Sequence, residues 1–163
     1  MKRKALAITL AAVMAMGTCA VTASAADGDT YTIGICQLVQ HVALDAATQG
    51  FKDEVTKELG EDAVTFDEQN AQGDSNTCST IVNSFVSNNV DLILANATPA
   101  LQAAAAGTSD IPILGTSVTE YGVALGLDDF DGTVGGNISG TADLAPLDEQ
   151  AAMLNELFPD AKN

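Results

Sequence analysis

The chain has 163 residues, with 6 Lys and Arg against 22 Asp and Glu, a net charge of −16, one histidine and no tryptophan. The length supports one domain, or one lobe of a larger protein, and a hydrophobic fraction of 47 % fits a folded core rather than disorder. The charge argues against a nucleic-acid partner, because phosphate binding needs clustered Lys and Arg, and against docking on anionic lipid through a basic face.

Three of the basic residues stand together as Lys2-Arg3-Lys4, ahead of an apolar run from Ala5 to Met16 and the small-x-small triplet Ala23-Ser24-Ala25. That is the pattern of a secretory signal over residues 1–25, cleaved after Ala25 and too short for a membrane span. The alternative is a lipoprotein signal modified at Cys19, although Thr18 stands where such a signal normally has Gly or Ala. Either address is extracytoplasmic, in the periplasm or on the outer face of the cell membrane. Beyond Ala25 the chain keeps 3 basic and 22 acidic residues, a charge of −19, and two cysteines, Cys36 and Cys78. An exported pair can form a disulfide, but nothing in the spacing demands one, and two small core hydrophobes are the plainer expectation. With no CxxC and no Cys/His cluster, no metal is expected.

From there strand and helix patterns alternate. Tyr31 to Cys36 reads as a first strand, and Leu44, Ala47, Phe51, Val55 and Leu59 recur at helical spacing up to Gly60. Val64 to Glu68 is a second strand. Asp74 or Ser75 caps a helix whose apolar face is Cys78, Ile81, Val82, Phe85 and Val86. Asp91 to Ala95 is a continuous apolar run of the kind found in a sheet covered on both faces. Thr98-Pro99 opens a third helix, with Pro99 in the first turn, where its missing N–H costs nothing. Ile111 to Leu114 is a fourth strand, Glu120 to Leu127 a short helix, Asn137 to Ser139 a brief strand, and Pro146 to Phe158 a last helix. This order with short connections implies an α/β fold, a doubly wound parallel sheet flanked by helices.

In such a sheet, ligands bind outside the carboxyl ends of the strands, at the point where the strand order reverses. Those ends carry Gln37, Gln40 and His41 after the first strand, and Asn96, Ala97 and Thr98 after the third. Thr116, Ser117, Thr119 and Glu120 follow the fourth; the last ends on Ser139, with Gly140, Thr141 and Asp143 after it. The set is rich in hydroxyls and amides, and helix N-termini at the same edge offer free N–H groups to a carboxylate. Singly, each has a duller role as a cap, turn or surface residue; the convergence carries the binding expectation. No GxGxxG, GxxxxGK[ST] or GxSxG occurs, and one histidine without a triad gives catalysis no support, so no enzyme and no cofactor are expected.

The stretches IGICQLVQHVALDAATQGF, FDEQNAQGDSNTCSTIVNSFVSNNVDLILANATPA, IPILGTSVTEYGVAL, VGGNISGTAD and PLDEQAAMLNELFPDAKN occur in that order. Together they resemble the ABC-transporter substrate-binding proteins of the type I periplasmic-binding fold, in the group linked to amino-acid uptake, often of aromatic amino acids. The resemblance implies an exported solute-binding component of an importer, with a permease and an ATPase as partners and a small-molecule ligand, an amino acid, enclosed between two α/β lobes. It places the ligand-facing loops of the first lobe at Gln40-His41 with Leu44, Asn96 to Thr98, Ser117 to Thr119, and Ser139 to Asp143. Two departures stand out: Thr119-Glu120-Tyr121 replaces the family's TDP, and His41-Val42-Ala43 replaces His-Pro-Ala. Residues 26–163 match one lobe, the N-terminal one, without its second. Two other functions remain in view, an exported ligand-sensing domain of the same fold and a flavodoxin-like enzyme. Tyr121 is the one aromatic expected near the cleft.

Overall fold

A computed structural model describes residues 30–160; the expected signal segment 1–25 and Cys19 lie outside that range. The elements are β1 (Tyr31–Gln37), α1 (Val42–Leu59), β2 (Val64–Asn70), α2 (Ser75–Ser87), β3 (Leu92–Asn96), α3 (Thr98–Gly107), β4 (Ile113–Val118), α4 (Tyr121–Leu125), β5 (Ile138–Ala142) and α5 (Leu147–Leu157). All five strands pair in parallel in the order β2-β1-β3-β4-β5, so the strand order reverses between β1 and β3.

The caps explain where the helices begin and end. His41 Nδ1 accepts from the Ala43 N–H at 3.2 Å and opens α1, which ends at Gly60 with φ 97°, a conformation open to glycine. Asp74 accepts from the Thr77 N–H and opens α2. Glu120 caps α4 with both carboxylate oxygens, on the N–H groups of Gly122 and Val123. The Thr-Glu-Tyr departure is thereby absorbed by a short helix with its own acidic cap.

Several strand boundaries move from the sequence expectation. Asp91 is outside β3, because its carboxylate accepts from the Thr32 N–H and ties the strand to β1. β4 begins at Ile113 instead of Ile111, just past Pro112, which has no N–H to donate. It then runs on to Val118, and β5 likewise extends to Ala142.

Two cores result, one on each face. On the first face Ile33, Ile35 and Leu94 pack under Phe51 and Val55 of α1. On the second, larger face Cys36, Ile93, Ala95 and Ile113 meet Cys78, Val82 and Phe85 of α2 and Leu101 of α3. Phe85 is wholly buried, and Gly34 beneath it lacks the Cβ that would meet its ring at 2.7 Å. Tyr121 is also interior, 5 % exposed, with its hydroxyl donating to Thr141 O over the Gly115–Gly140 pair. The aromatic expected near the cleft is thus a core residue, with only its edge lining the neighbouring groove. α5 buries none of its residues, so Leu147, Leu154, Leu157 and Phe158 form an exposed apolar stripe.

Desolvation raises the pKa of the Cys36 and Cys78 thiols and the Tyr121 hydroxyl, making them weaker acids, aided at Cys36 by the neighbouring Cys78, at Cys78 by Asp74 and at Tyr121 by Asp143. All three are acids held neutral in the fold, so the unfolded chain sheds these protons first as pH rises. Their contribution is complete below the ordinary 9.0 of the thiols and 10.0 of the phenol, and is lost as pH climbs from there toward the higher folded values. Denaturant midpoints of the reduced protein should therefore fall above pH 9, and Cys36→Ala should flatten that fall.

Candidate functional site

The carboxyl edge of the sheet is stitched together where the strand order reverses. Gln37 at the end of β1 pairs with Asn70 of β2 on one side and Asn96 of β3 on the other, and Asn96 in turn pairs with Thr116 of β4. The loop after β1 is held from both sides: Leu38 N–H donates to Asn96 O at 3.1 Å, while Gln37 O and Leu38 O accept from the N–H groups of Ala71 and Gly73.

Beneath that edge lies a buried polar network. Asn96, with no exposed surface, donates through Nδ2 to Leu44 O at 2.8 Å and to Thr48 Oγ1 at 2.9 Å. Thr48 Oγ1 donates to Gln37 Oε1 at 2.7 Å, and Gln37 Nε2 donates to Asp45 Oδ1 at 2.6 Å and Val39 O at 2.9 Å. The network fastens the first turns of α1, and so the Gln40-His41 loop, to the ends of β1 and β3. Asn96 Oδ1 is buried with no partner among the described residues. Buried polar atoms are nearly always paired, so this acceptor marks a place where a donor from water or ligand belongs.

Two backbone outliers sit side by side above it. Ala97 (φ 93°) and Ser117 (φ 55°) follow the paired residues Asn96 and Thr116, and the Ala97 N–H donates to Thr116 O at 3.0 Å. Neither is glycine, so each conformation costs on the order of 1–3 kcal/mol, strain of the kind that collects at ligand sites. The Ala97 conformation turns the chain straight into α3, whose N-terminus has no side-chain cap. The first-turn N–H of Thr98 is therefore left without a helical partner at this edge, where Thr98 and Ser117 are both half-buried, while Ala100 has no exposed surface.

The ten residues singled out from sequence fall into separate places. Asn96, Thr98 and Ser117 converge on this edge, with Leu44 contributing its carbonyl to the Asn96 amide. Gln40 lines an open polar groove of about 690 Å³ with Gln37, Asp45, Thr48, Asn70 and Gln72, while the exposed His41 caps α1. Thr119 opens onto an apolar groove of about 500 Å³ against Phe130 and Val134, and Thr141 faces another beside Phe51 and Leu114. Asp143 is exposed, its N–H donating to Val118 O. Ser139 was expected as the closing residue of the last strand; it lies well inside β5, paired with Leu114 and so below the level of Thr116, because β5 runs to Ala142. Sequence reasoning passed over Asp45 and Thr48. Thr48 alone is fully buried in α1, and a polar residue beside the Leu44–Phe51 stripe was the available signal. Among the described residues no group of three His, Cys, Asp or Glu is arranged to hold a metal ion.

Residues 32–163 match the family model described as ABC transporter substrate binding protein, and the chain belongs to that family. It is 43 % identical over 134 residues to the tyrosine-binding protein of Clostridioides difficile (strain R20291), covering 80 % of this chain and 38 % of that one. Among solved structures, it resembles the ligand-free, open form of a substrate binding protein with adhesive properties from Clostridium difficile, at 42 % identity and a TM-score of 0.71 over 82 % of this chain and 45 % of the other. It also resembles an ABC domain in complex with L-Trp from Streptococcus pneumonia, at 32 % identity and a TM-score of 0.74 over the same shares. The chain thus spans less than half the length of these relatives.

Proposed function

We propose that residues 26–163 form the N-terminal lobe of an exported solute-binding component of an ABC importer, and that this lobe receives an amino acid, aromatic in class, which a second lobe encloses. The observation that carries the proposal is the adjacent strained pair, Ala97 and Ser117, over the buried Asn96 amide at the point where the strand order reverses. The substrate carboxylate takes the N–H of Thr98 with the hydroxyls of Thr98 and Ser117. The ammonium group meets a carboxylate, for which Asp143 is placed at the same end of the sheet. Gln40, His41 and Leu44 border the ligand, while Thr119 and Thr141 face grooves of their own at its margin, as does Ser139. Recognition is the whole of the chemistry, with no catalytic group, cofactor or metal, and closure of the lobes presents the loaded protein to a permease and its ATPase. Similarity to a tyrosine-binding protein and to a protein solved with L-Trp supports the amino-acid class.

The test is a thermal-shift series with the twenty amino acids and a sugar and nucleobase panel. A ligand present at 100 times its Kd stabilises by about 2.7 kcal/mol. The midpoint should rise with tyrosine or tryptophan and lose that rise in Thr98→Ala. A cooperative melt that no amino acid moves would contradict the proposal.

A further inference from the structure

The two cysteines of the described chain, 42 residues apart in sequence, come together in the larger core. Cys36 is on β1 and Cys78 in the second turn of α2; both have no exposed surface. Helix α2 runs back over β1 so that the two strand residues facing it, Gly34 and Cys36, lie under Phe85 and Cys78 respectively. Gly34 lets the helix come close, since a Cβ at that position would meet the Phe85 ring at 2.7 Å. The Cys36 and Cys78 thiols are close enough to influence one another's titration, and both are free thiols in this structure.

We propose that Cys36 and Cys78 are a modification site, oxidised to a disulfide that staples α2 to β1 when the chain folds in an oxidising, extracytoplasmic compartment. The oxidant is a disulfide, that of a thiol–disulfide oxidoreductase or a small-molecule thiol. One cysteine thiolate attacks it, forming a mixed disulfide and releasing one thiol; the second thiolate then displaces the other thiol as the Cys36–Cys78 bond closes. The two cysteines give up two protons and two electrons, and the oxidant leaves as two thiols. Exchange takes place before the core closes, because burial holds both thiols neutral afterwards, and a thiol is a poor nucleophile. The bond also lies beneath the loops that meet at the site: Ala71 and Gly73, just ahead of α2, donate to the carbonyls of Gln37 and Leu38, just beyond Cys36. The staple thus holds two binding-edge loops in one register.

The experiment uses the full chain with Cys19→Ser, which removes the third thiol, refolded with oxidised and reduced glutathione. Iodoacetamide labelling under denaturing conditions, intact mass and a peptide map are then read together. The expected result is a monomer lighter by two hydrogens, without label, whose Cys36 and Cys78 peptides are linked. Its melting midpoint should drop by about 10 °C on reduction, and Cys78→Ala should abolish that sensitivity. Labelling of both cysteines after oxidative refolding would overturn the proposal. So would a disulfide between chains, or an oxidised monomer that melts no higher than the reduced one.

Discussion

Asn96→Asp should destabilise the fold by about 3 kcal/mol or more at neutral pH, although it changes one NH2 group into an oxygen. The amide's Nδ2 donates to Leu44 O at 2.8 Å and Thr48 Oγ1 at 2.9 Å, and the side chain has no exposed surface. An aspartate there sets a carboxylate against a carbonyl oxygen, with Asp45 already accepting from the neighbouring Gln37. The carboxyl must stay protonated to fit, so its folded pKa is raised. The pH-dependent part of the destabilisation is then absent below the unfolded value of about 3.9 and grows as pH rises above it. Denaturant midpoints measured from pH 4 to 8 should diverge from wild type in that direction. Asn96→Leu removes the same hydrogen bonds without a charge and should show a loss that does not vary with pH. A flat difference for the aspartate variant would mean that the side chain reaches water and the network is not buried.

Gly34→Ala should cost about 2–3 kcal/mol, a large effect for one methyl group. The added Cβ would lie 2.7 Å from two Phe85 ring carbons, in a strand paired on both sides and under a helix packed on the same core. Neither layer has room to yield. Phe85→Leu makes room, so Gly34→Ala combined with Phe85→Leu should lose less than the sum of the single changes, by about 0.5–3 kcal/mol of coupling in a double-mutant cycle. Gly50→Ala is the control: its Cβ meets nothing within 4 Å, and in mid-helix the change should stabilise by about 0.5–1 kcal/mol. Strict additivity of Gly34→Ala and Phe85→Leu would contradict the packing.

Elements whose hydrophobic period and caps agree were legible from sequence. α1 and α2 read correctly because Gly60 and Asp74 punctuate clear apolar stripes, and β1 and β3 because they are continuous apolar runs. β5 was shortened to three residues because ISGTA has one large apolar side chain; its identity as a strand comes from pairing with β4, which no local pattern encodes. The burial of Tyr121 was illegible for a similar reason. Only the Gly115–Gly140 pair on neighbouring strands opens the space that buries it. The strand-end residues Asn96, Thr98 and Ser117 were legible because topology alone puts them at the edge. The Gln37–Thr48–Asn96 network was not, because its members lie far apart in sequence and meet only when α1 is laid on the sheet.

The central claim is that this lobe receives an amino acid at the edge where β1 and β3 diverge, and its most direct test is an amide-shift map of the 15N-labelled chain titrated with L-tyrosine and L-tryptophan. The account predicts concentration-dependent shifts clustered at Gln37 to His41, Asn96 to Ala100 and Thr116 to Thr119, and their loss in Thr98→Ala. Shifts gathered instead at the Phe130–Gly135 groove or along α5, with the strand-end amides silent, would contradict it.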